Sequence, residues 1–272
     1  MQHVLALAAL PAASVLGACG GPDATSIVEA DCARDPVTVL VVLQGSESML
    51  GGSKWPAARA AVDGIFDAAL LHPDARLNVG LTVFGDREDT TVGEGRAGPY
   101  DRFDVPPAPV DRAQHDLLRA RVDGTAPWNG APLFEALAGQ VPLLGARPGR
   151  RVLVLVTDGV PDPRMPAGDG EQVLTMQLVV QAHDRDGIVT RVVGVGPLGA
   201  TASSSDYDPR FVGQLAVAGG AAQPSCSPAE AQNPRRMCQT QLTPGSDRLP
   251  LDAQLGSAIE WASSQSAPCA GQ

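Results

Sequence analysis

Side chains with metal-binding or nucleophilic chemistry follow two apolar runs of this sequence. The first run covers residues 37–43 and is followed closely by Ser46 and Ser48, and the second covers residues 152–156 and is followed by Asp158. Hydroxyl and carboxylate oxygens are the ligands that hard divalent cations prefer. A serine in a tight turn after a strand can instead act as a nucleophile. The pattern therefore indicates either a cation site or a nucleophile.

The two apolar runs predict the elements that would position these side chains. Both are short, rich in β-branched residues and not alternating in polarity, which is typical of strands buried on both faces of a parallel sheet. Open α/β sheets bind their ligands just beyond the carboxyl ends of such strands. We therefore expect Ser46, Ser48 and Asp158 to meet at one edge of a sheet.

Strand-like and helix-like segments alternate from residue 37 onward, which predicts an α/β fold with a doubly wound, mostly parallel sheet flanked by helices. Two further strands are predicted at residues 77–84 and 188–195. Residues 85–109 are predicted to be loops that could enclose a short edge strand, and residues 221–247 are predicted to be rich in turns. Predicted helices cover residues 54–71, 111–122, 132–144, 170–186, 209–218 and 251–262.

These features together resemble the von Willebrand factor type A (vWA) family, over roughly residues 32–269. In that family a D-x-S-x-S segment, a threonine in a Gly-x-Thr-Pro-like loop and the aspartate of Thr-Asp-Gly hold a divalent cation. Ser46, Ser48 and Asp158 match this pattern, whereas Gln44 stands in place of the first aspartate and Ala131 in place of the threonine. The resemblance implies a Rossmann-like vWA fold with a degenerate metal-ion-dependent adhesion site.

The two departures weaken the cation site that the resemblance implies. Magnesium prefers about six oxygens, with at least one or two from carboxylates. Gln44 removes one negative charge and Ala131 removes one hydroxyl, which leaves Ser46, Ser48 and Asp158 as donors. We expect Mg²⁺ to bind weakly, no tighter than about millimolar, and no other cofactor to bind.

Other interpretations of these residues remain open. Three carboxylates from neighbouring positions could restore a cation site: Glu47, Asp86 and Asp162. Alternatively, Ser46 and Ser48 could cap the helix that follows, and Asp158 could bond only to the backbone of its own turn.

The edge of the sheet could bind a partner even without a cation. Trp128 and Asn129 lie in the loop before Ala131, and Glu47 lies between the two serines, so all three are candidates for a binding face. Tryptophan in a loop can anchor a partner, or it can pack under its own loop. We expect the partner to be a protein or a surface glycan.

The N-terminal residues predict export and lipid anchoring. Residues 4–16 are apolar but too short to span a bilayer, and they lead into Leu-Gly-Ala-Cys19, which resembles the bacterial lipobox. We assign residues 1–18 to a signal peptide, 19–31 to a tether and 32–272 to the domain, with lipidation at Cys19. Gly20 differs from the aspartate that retains lipoproteins in the inner membrane, which favours the outer membrane. No lysine or arginine precedes the apolar run, and an ordinary secretory signal is the alternative.

Four cysteines remain after Cys19, an even number in a chain predicted to be exported. This number favours two disulfides, for which three pairings exist. We favour Cys226–Cys238, a local link across a proline-rich loop, and Cys32–Cys269, which would join the ends of the domain. A zinc site is the alternative, but the chain has no C-x-x-C and its four histidines are scattered.

Charge and composition argue against nucleic acid and nucleotide ligands. The net charge is −10, and the basic residues are spread along the chain rather than clustered. No P-loop motif occurs. Gly194, Gly196 and Gly199 formally fit a dinucleotide fingerprint, but a segment of loop composition follows them instead of a helix. We therefore interpret these glycines as a flexible turn.

A hydrolase that uses Ser48 is the catalytic alternative. The nucleophile elbow needs small residues two positions before and after the serine, so Ser46 fits but Leu50 does not. No histidine follows His183 to complete a triad. We therefore predict a lipid-anchored, extracytoplasmic binding domain without catalytic activity. A structural or assembly component of the cell envelope is the other alternative.

Overall fold

The computed structural model of the protein describes residues 35–71, 76–86, 100–128, 130–160, 169–198 and 206–244. Within these residues, six strands form one sheet in the order β3-β2-β1-β4-β5-β6. The strands are β1 Val37–Gln44, β2 Leu77–Phe84, β3 Val105–Pro109, β4 Arg150–Thr157, β5 Ile188–Val195 and β6 Thr240–Leu242.

Strand β1 lies inside the sheet and pairs in parallel with β2 on one side and β4 on the other. β5 and β6 continue the parallel arrangement, and the edge strand β3 runs antiparallel to β2. Leu43 pairs with Val156, so the next residues, Gln44 and Thr157, are level at the carboxyl edge. This register brings the ends of β1 and β4 together, as their apolar runs predict.

Five α-helices flank the sheet within the described residues. They are α1 Lys54–Leu71, α2 Arg112–Asp123, α3 Leu133–Gly145, α4 Asp169–Asp186 and α5 Pro209–Ala218. A 3₁₀ segment, Glu47–Ser53, joins β1 to α1. The predicted α/β class is therefore confirmed, with a mixed, mostly parallel sheet.

The core has two layers, one on each face of the sheet. Val39 and Val41 of β1 pack into a cluster with α1 and α2, whereas Leu40 and Val42 pack into a cluster with α3, α4 and α5. All eight residues of β1 are buried, which explains why its sequence does not alternate in polarity. No helix among the described residues combines the length and the apolar character that a bilayer span requires.

Two short strands lie in segments whose composition indicates loops and turns. β3 has the sequence VPPAP, and its prolines are compatible with an edge position where few ladder hydrogen bonds are needed. β6 has only three residues and lies inside the turn-rich segment 221–247, where no strand was predicted. A three-residue strand with two polar side chains has no period that a sequence pattern could reveal.

Cys226 and Cys238 form a disulfide in the segment between α5 and β6, with their Cα atoms 4.9 Å apart. Several other predictions concern positions outside the described residues. These are the signal peptide and the tether, the C-terminal helix at 251–262, Cys19, Cys32, Cys269, Asn129 and Asp162.

Candidate functional site

Gln44, the last residue of β1, lies at the centre of a buried polar cluster. Its amide nitrogen donates to Ser46 Oγ at 2.7 Å, to Ser48 Oγ at 3.1 Å and to Asp158 Oδ1 at 2.9 Å. Its amide oxygen accepts from the Thr157 hydroxyl and from the backbone N–H of Asp158. Because a backbone N–H can only donate, the oxygen must face it, and the nitrogen must face the serines and the carboxylate.

The two serines contact each other as well as Gln44. Ser46 Oγ lies 2.9 Å from Ser48 Oγ, and Ser46 is buried while Ser48 is partly exposed. Ser46 is the N-cap residue of the 3₁₀ segment, but its side chain makes no capping hydrogen bond. The alternative in which this serine caps the following helix was therefore wrong, because its hydroxyl lies against the Gln44 amide.

Asp158 forms an ion pair that sequence reasoning did not anticipate. Its Oδ2 atom accepts from Lys54 Nζ at 2.7 Å, and the exposed fractions of the two residues are 0% and 2%. Lys54 also donates to the backbone carbonyl of Asp206. The bond from Val160 N–H to Asp158 Oδ1 shows that the carboxylate does bond to its own turn, but in addition to these partners.

The backbone before α1 brings Lys54 to this position. The 3₁₀ segment is interrupted at Gly51, which is extended, and Gly52 and Ser53 have φ angles of 58° and 61°. Positive φ is strained for serine, at a cost on the order of 1–3 kcal/mol. Lys54 is the only lysine in the chain, and nothing in the local sequence marks it as buried. Once buried, a lysine almost always needs a paired partner, which here is Asp158.

The residues of this cluster do not fit the divalent cation that the family resemblance implies. The three oxygens that would serve as ligands already accept hydrogen bonds from the Gln44 amide nitrogen; they are Ser46 Oγ, Ser48 Oγ and Asp158 Oδ1. The second carboxylate oxygen, Asp158 Oδ2, accepts a hydrogen bond from Lys54. Ala131 is buried nearby and offers no hydroxyl. In the part of the chain that the structure describes, no group of three or more His, Cys, Asp and Glu side chains could hold a metal ion.

Two of the three carboxylates that could have restored such a site, Glu47 and Asp86, lie among the described residues, and both are in other environments. Glu47 is exposed to solvent. Asp86 Oδ2 is 2.6 Å from Arg121, whose guanidinium also bonds to Asp104 at 2.8 Å and to Thr125 at 2.6 Å. Arg121 therefore connects the turn after β2 to the loop that carries Trp128.

Large apolar side chains are exposed at the same edge of the sheet. Trp128 has 55% of its surface exposed, and its backbone N–H donates to the Gly45 carbonyl at 3.2 Å, directly beside the polar cluster. Leu50, in the 3₁₀ segment, and Leu198, just after β5, are similarly exposed. Of the three residues predicted for a binding face, Trp128 and Glu47 are thus both exposed at this edge.

Ser48 is the candidate nucleophile of the hydrolase alternative, and its surroundings are polar. Neither of the two histidines among the described residues, His115 and His183, lies next to it. Its Oγ contacts the Gln44 amide and Ser46 Oγ. His115 Nε2 instead lies 2.8 Å from Asp67 on α1, and the His183 ring packs against Gly220.

Gly194 and Gly196, which were interpreted as part of a flexible turn, have a packing role in the structure, and Gly199 lies outside the described residues. Gly194 lies inside β5, and a Cβ atom there would be 2.4 Å from the Tyr207 hydroxyl. A Cβ at Gly196 would be 2.3 Å from the Tyr207 ring. The two glycines therefore make room for a fully buried tyrosine, whose pKa is raised by burial.

No protein-family model matches the sequence, and the curated proteins contain no match. Solved structures share its fold at low identity. The pilus adhesin SpaC from Lactobacillus rhamnosus GG is 16% identical with a TM-score of 0.57, and the match covers 84% of this chain and 30% of SpaC. The von Willebrand factor type A protein from Catenulispora acidiphila is 14% identical with a TM-score of 0.50, over 86% of this chain and 43% of that one.

A third solved structure is covered almost completely. The vWF domain of the type V pili tip protein Mfa5 from Porphyromonas gingivalis is 11% identical with a TM-score of 0.52, over 84% of this chain and 96% of that domain. The fold is therefore that of vWA domains. The chain spans less than half the length of the SpaC and Catenulispora chains, and identities this low concern the fold alone.

Proposed function

We propose that this protein is a lipid-anchored, extracytoplasmic binding module that holds a protein or a surface glycan at the carboxyl edge of its sheet, without catalysis. Its fold is shared with a pilus adhesin and with a pili tip protein, which supports a binding or assembly role at the cell surface. The lipid anchor is inferred from the sequence around Cys19.

The observation that carries this proposal is the exposed Trp128 beside the buried polar cluster. An aromatic ring at a loop tip offers a large contact area at low conformational cost, and such residues often dominate binding energy. The loop is held by the bond from Trp128 N–H to the Gly45 carbonyl and by Arg121, which bonds to Thr125. A fixed loop loses little entropy when a partner binds.

The experiment compares Trp128→Ala with a matched control on the same full-length chain. Leu117→Ala removes an equally exposed apolar side chain, 59% exposed, from the solvent side of α2. Wild-type protein is first crosslinked in native envelopes to identify the partner, and purified partner is then titrated against each variant. We expect Trp128→Ala to weaken binding by at least about tenfold, as for an interface hot spot, and Leu117→Ala to have no effect.

The same titration tests the proposal against its alternatives. Equal affinities for both variants and the wild type would contradict binding at this edge. A partner that stays bound at stoichiometric amounts in high salt would favour a permanent assembly component. Lipid anchoring is tested separately by mass spectrometry of the mature N-terminus, where a diacylated Cys19 is expected in the wild type and detergent-free release is expected for Cys19→Ser.

A further inference from the structure

The polar cluster at the carboxyl edge is electrically neutral without any ion. Asp158 contributes its one negative charge and Lys54 its one positive charge, and both side chains are almost completely buried. Gln44 contributes no charge, yet its amide nitrogen lies within hydrogen-bonding distance of Ser46, Ser48 and Asp158. The nitrogen therefore occupies the point on which three potential metal ligands converge.

We propose that Lys54 and Gln44 together replace the divalent cation expected from this fold, so that the site is organised and neutralised by its own side chains. The ammonium group neutralises the carboxylate, and the amide joins the two hydroxyls to it. The inference concerns the same edge as the proposed function but requires no partner, so either can fail while the other stands.

Electrostatics explains why a cation and Lys54 exclude each other. A divalent ion added to the neutral cluster would leave two uncompensated positive charges in a buried place, where water screens little. An ion that displaced Lys54 would have to leave the ammonium group without Asp158 and without the Asp206 carbonyl. A lone buried charge of this kind is strongly unfavourable.

The backbone provides a second, independent observation. Ser53 directly precedes Lys54 and has a φ angle of 61°, in the left-handed region that a serine rarely adopts. Strained residues persist only where the surrounding structure holds them in place. The strained residue thus lies directly before Lys54, the first residue of α1, where the backbone sets the position of the buried lysine.

The first experiment converts the cluster back into a cation site. Gln44→Asp restores a carboxylate, and Lys54→Met removes the ammonium group while keeping an unbranched side chain. We titrate Mg²⁺ and Mn²⁺ by calorimetry into full-length wild type, each single variant and Gln44→Asp/Lys54→Met. We expect no binding to the wild type at millimolar concentrations and binding to the double variant at least about tenfold tighter than to either single variant, because affinity rises with ligand charge.

A matched control tests whether the effect requires removal of the positive charge at Lys54, or whether removal of any positive charge from the same helix is enough. Gln44→Asp/Arg59→Met removes a cation from the same helix, where Arg59 pairs with the exposed Asp123. It should bind Mn²⁺ no better than Gln44→Asp alone. Circular dichroism and thermal melting show which variants fold. A folded Gln44→Asp/Lys54→Met variant that binds no better than this control would overturn the inference.

The second experiment uses the wild type and needs no variant. Because Lys54 is the only lysine, an amine-reactive label has one side-chain target in the whole chain. Peptide mass spectrometry should find Lys54 unlabelled in the native protein and fully labelled in denaturant. Because the label reaches Lys54 only when the protein unfolds, the two labelling rates should differ by at least about a hundredfold. The labelling rate of Lys54 in the native protein should not change when about 10 mM Mg²⁺ is added. This concentration is about an order of magnitude above the dissociation constants of the weakest calcium modules. Equal native and denatured rates, or sub-millimolar Mg²⁺ binding by the wild type, would contradict the proposal.

Discussion

Single side chains decide the chemistry of this site. In the family that the sequence resembles, a cation links the hydroxyls and carboxylates of this site. Replacing one carboxylate with Gln44 would by itself leave Ser46, Ser48 and Asp158 without that link. Here the amide nitrogen bonds to all three groups, and Lys54 neutralises Asp158 from the opposite side. The substitution at position 44 and the buried lysine are therefore two parts of one arrangement.

At this scale we expect Lys54→Met to lower the free energy of unfolding by about 3–5 kcal/mol, because it leaves Asp158 buried and unpaired. Lys54→Met/Asp158→Asn should recover a large part of that loss, since asparagine carries no charge and keeps an oxygen for the Val160 N–H. Urea denaturation of the three proteins measures both quantities.

The control for this prediction is Arg59→Met, from the ion pair with Asp123. Both partners of that pair are substantially exposed, 39% and 50%, so its loss should cost less than about 1 kcal/mol. Similar losses for Lys54→Met and Arg59→Met would show that the Lys54 pair is not buried in solution.

A second prediction at the residue scale concerns pH. Burial between α1 and α2 raises the pKa of Asp63 above its ordinary value of 3.8, and the nearby Arg119 offsets this only in part. A carboxyl with a raised pKa favours the folded state below pH 3.8, and this contribution is lost as the pH rises through the folded-state pKa. Asp63→Asn should therefore stabilise the protein at pH 7 and have little effect near pH 3 (about one unit below the unfolded value).

Urea denaturation at both pH values tests the Asp63 prediction. The control is Asp116→Asn on α2, whose side chain is 68% exposed. A stabilisation by Asp63→Asn that is equally large at the two pH values would contradict the assignment to burial of the carboxylate.

Among the elements, the turns that follow β1 and β2 determine how closely the loops of the site approach each other. Gly85, directly after β2, has a φ angle of 81°, and a Cβ atom there would lie 2.7 Å from the Gly130 carbonyl and 2.9 Å from Ser46 Cβ. The absence of a side chain at position 85 therefore allows the loop before α3 to lie against Ser46.

Gly85→Ala is expected to destabilise the protein by about 1–3 kcal/mol, because alanine is strained at positive φ and would displace Ser46 or the Gly130 loop. Urea denaturation gives the free energy. Gly51→Ala is the control, since no atom lies within 4 Å of a Cβ at that position and its φ is −68°. If both substitutions are equally mild, the close approach of the two loops does not exist in solution.

Some helices and strands could be predicted from their own sequence, and others could not. The predicted bounds of α1, β2, β5 and α5 match the structure. The two helices have an apolar face with helical period, and the two strands are short apolar runs bounded by turn residues. β6 was missed because three residues carry no period. Helix α2 was predicted to begin at Asp111 and begins instead at Arg112, because Asp111 is its N-cap and accepts from Gln114 N–H.

For the whole molecule, the described core extends over both faces of the sheet, and the disulfide adds a covalent link outside it. Cys226 and Cys238 lie twelve positions apart in the irregular segment that leads from α5 to β6. A crosslink of this length restricts the unfolded chain, which is the main reason that such a disulfide stabilises a fold.

We expect Cys226→Ala/Cys238→Ala to lower the free energy of unfolding by about 3 kcal/mol, the value for a loop of this length in the chain-entropy model. Thermal melting with and without reductant measures the effect. The wild type should lose more stability in reductant than the variant, in which only the predicted Cys32–Cys269 disulfide could still be reduced. A wild type whose stability is the same in both conditions would contradict a structural role for this disulfide.

The sequence by itself determined the α/β class, the positions of most elements and the edge at which Ser46, Ser48 and Asp158 meet. Period and composition are local properties, and the carboxyl ends of neighbouring parallel strands necessarily share an edge. Only the tertiary structure decided what those side chains bond to. Lys54 meets Asp158 across 104 positions of the chain, and such a contact depends on how the turn before α1 and the end of β4 pack together.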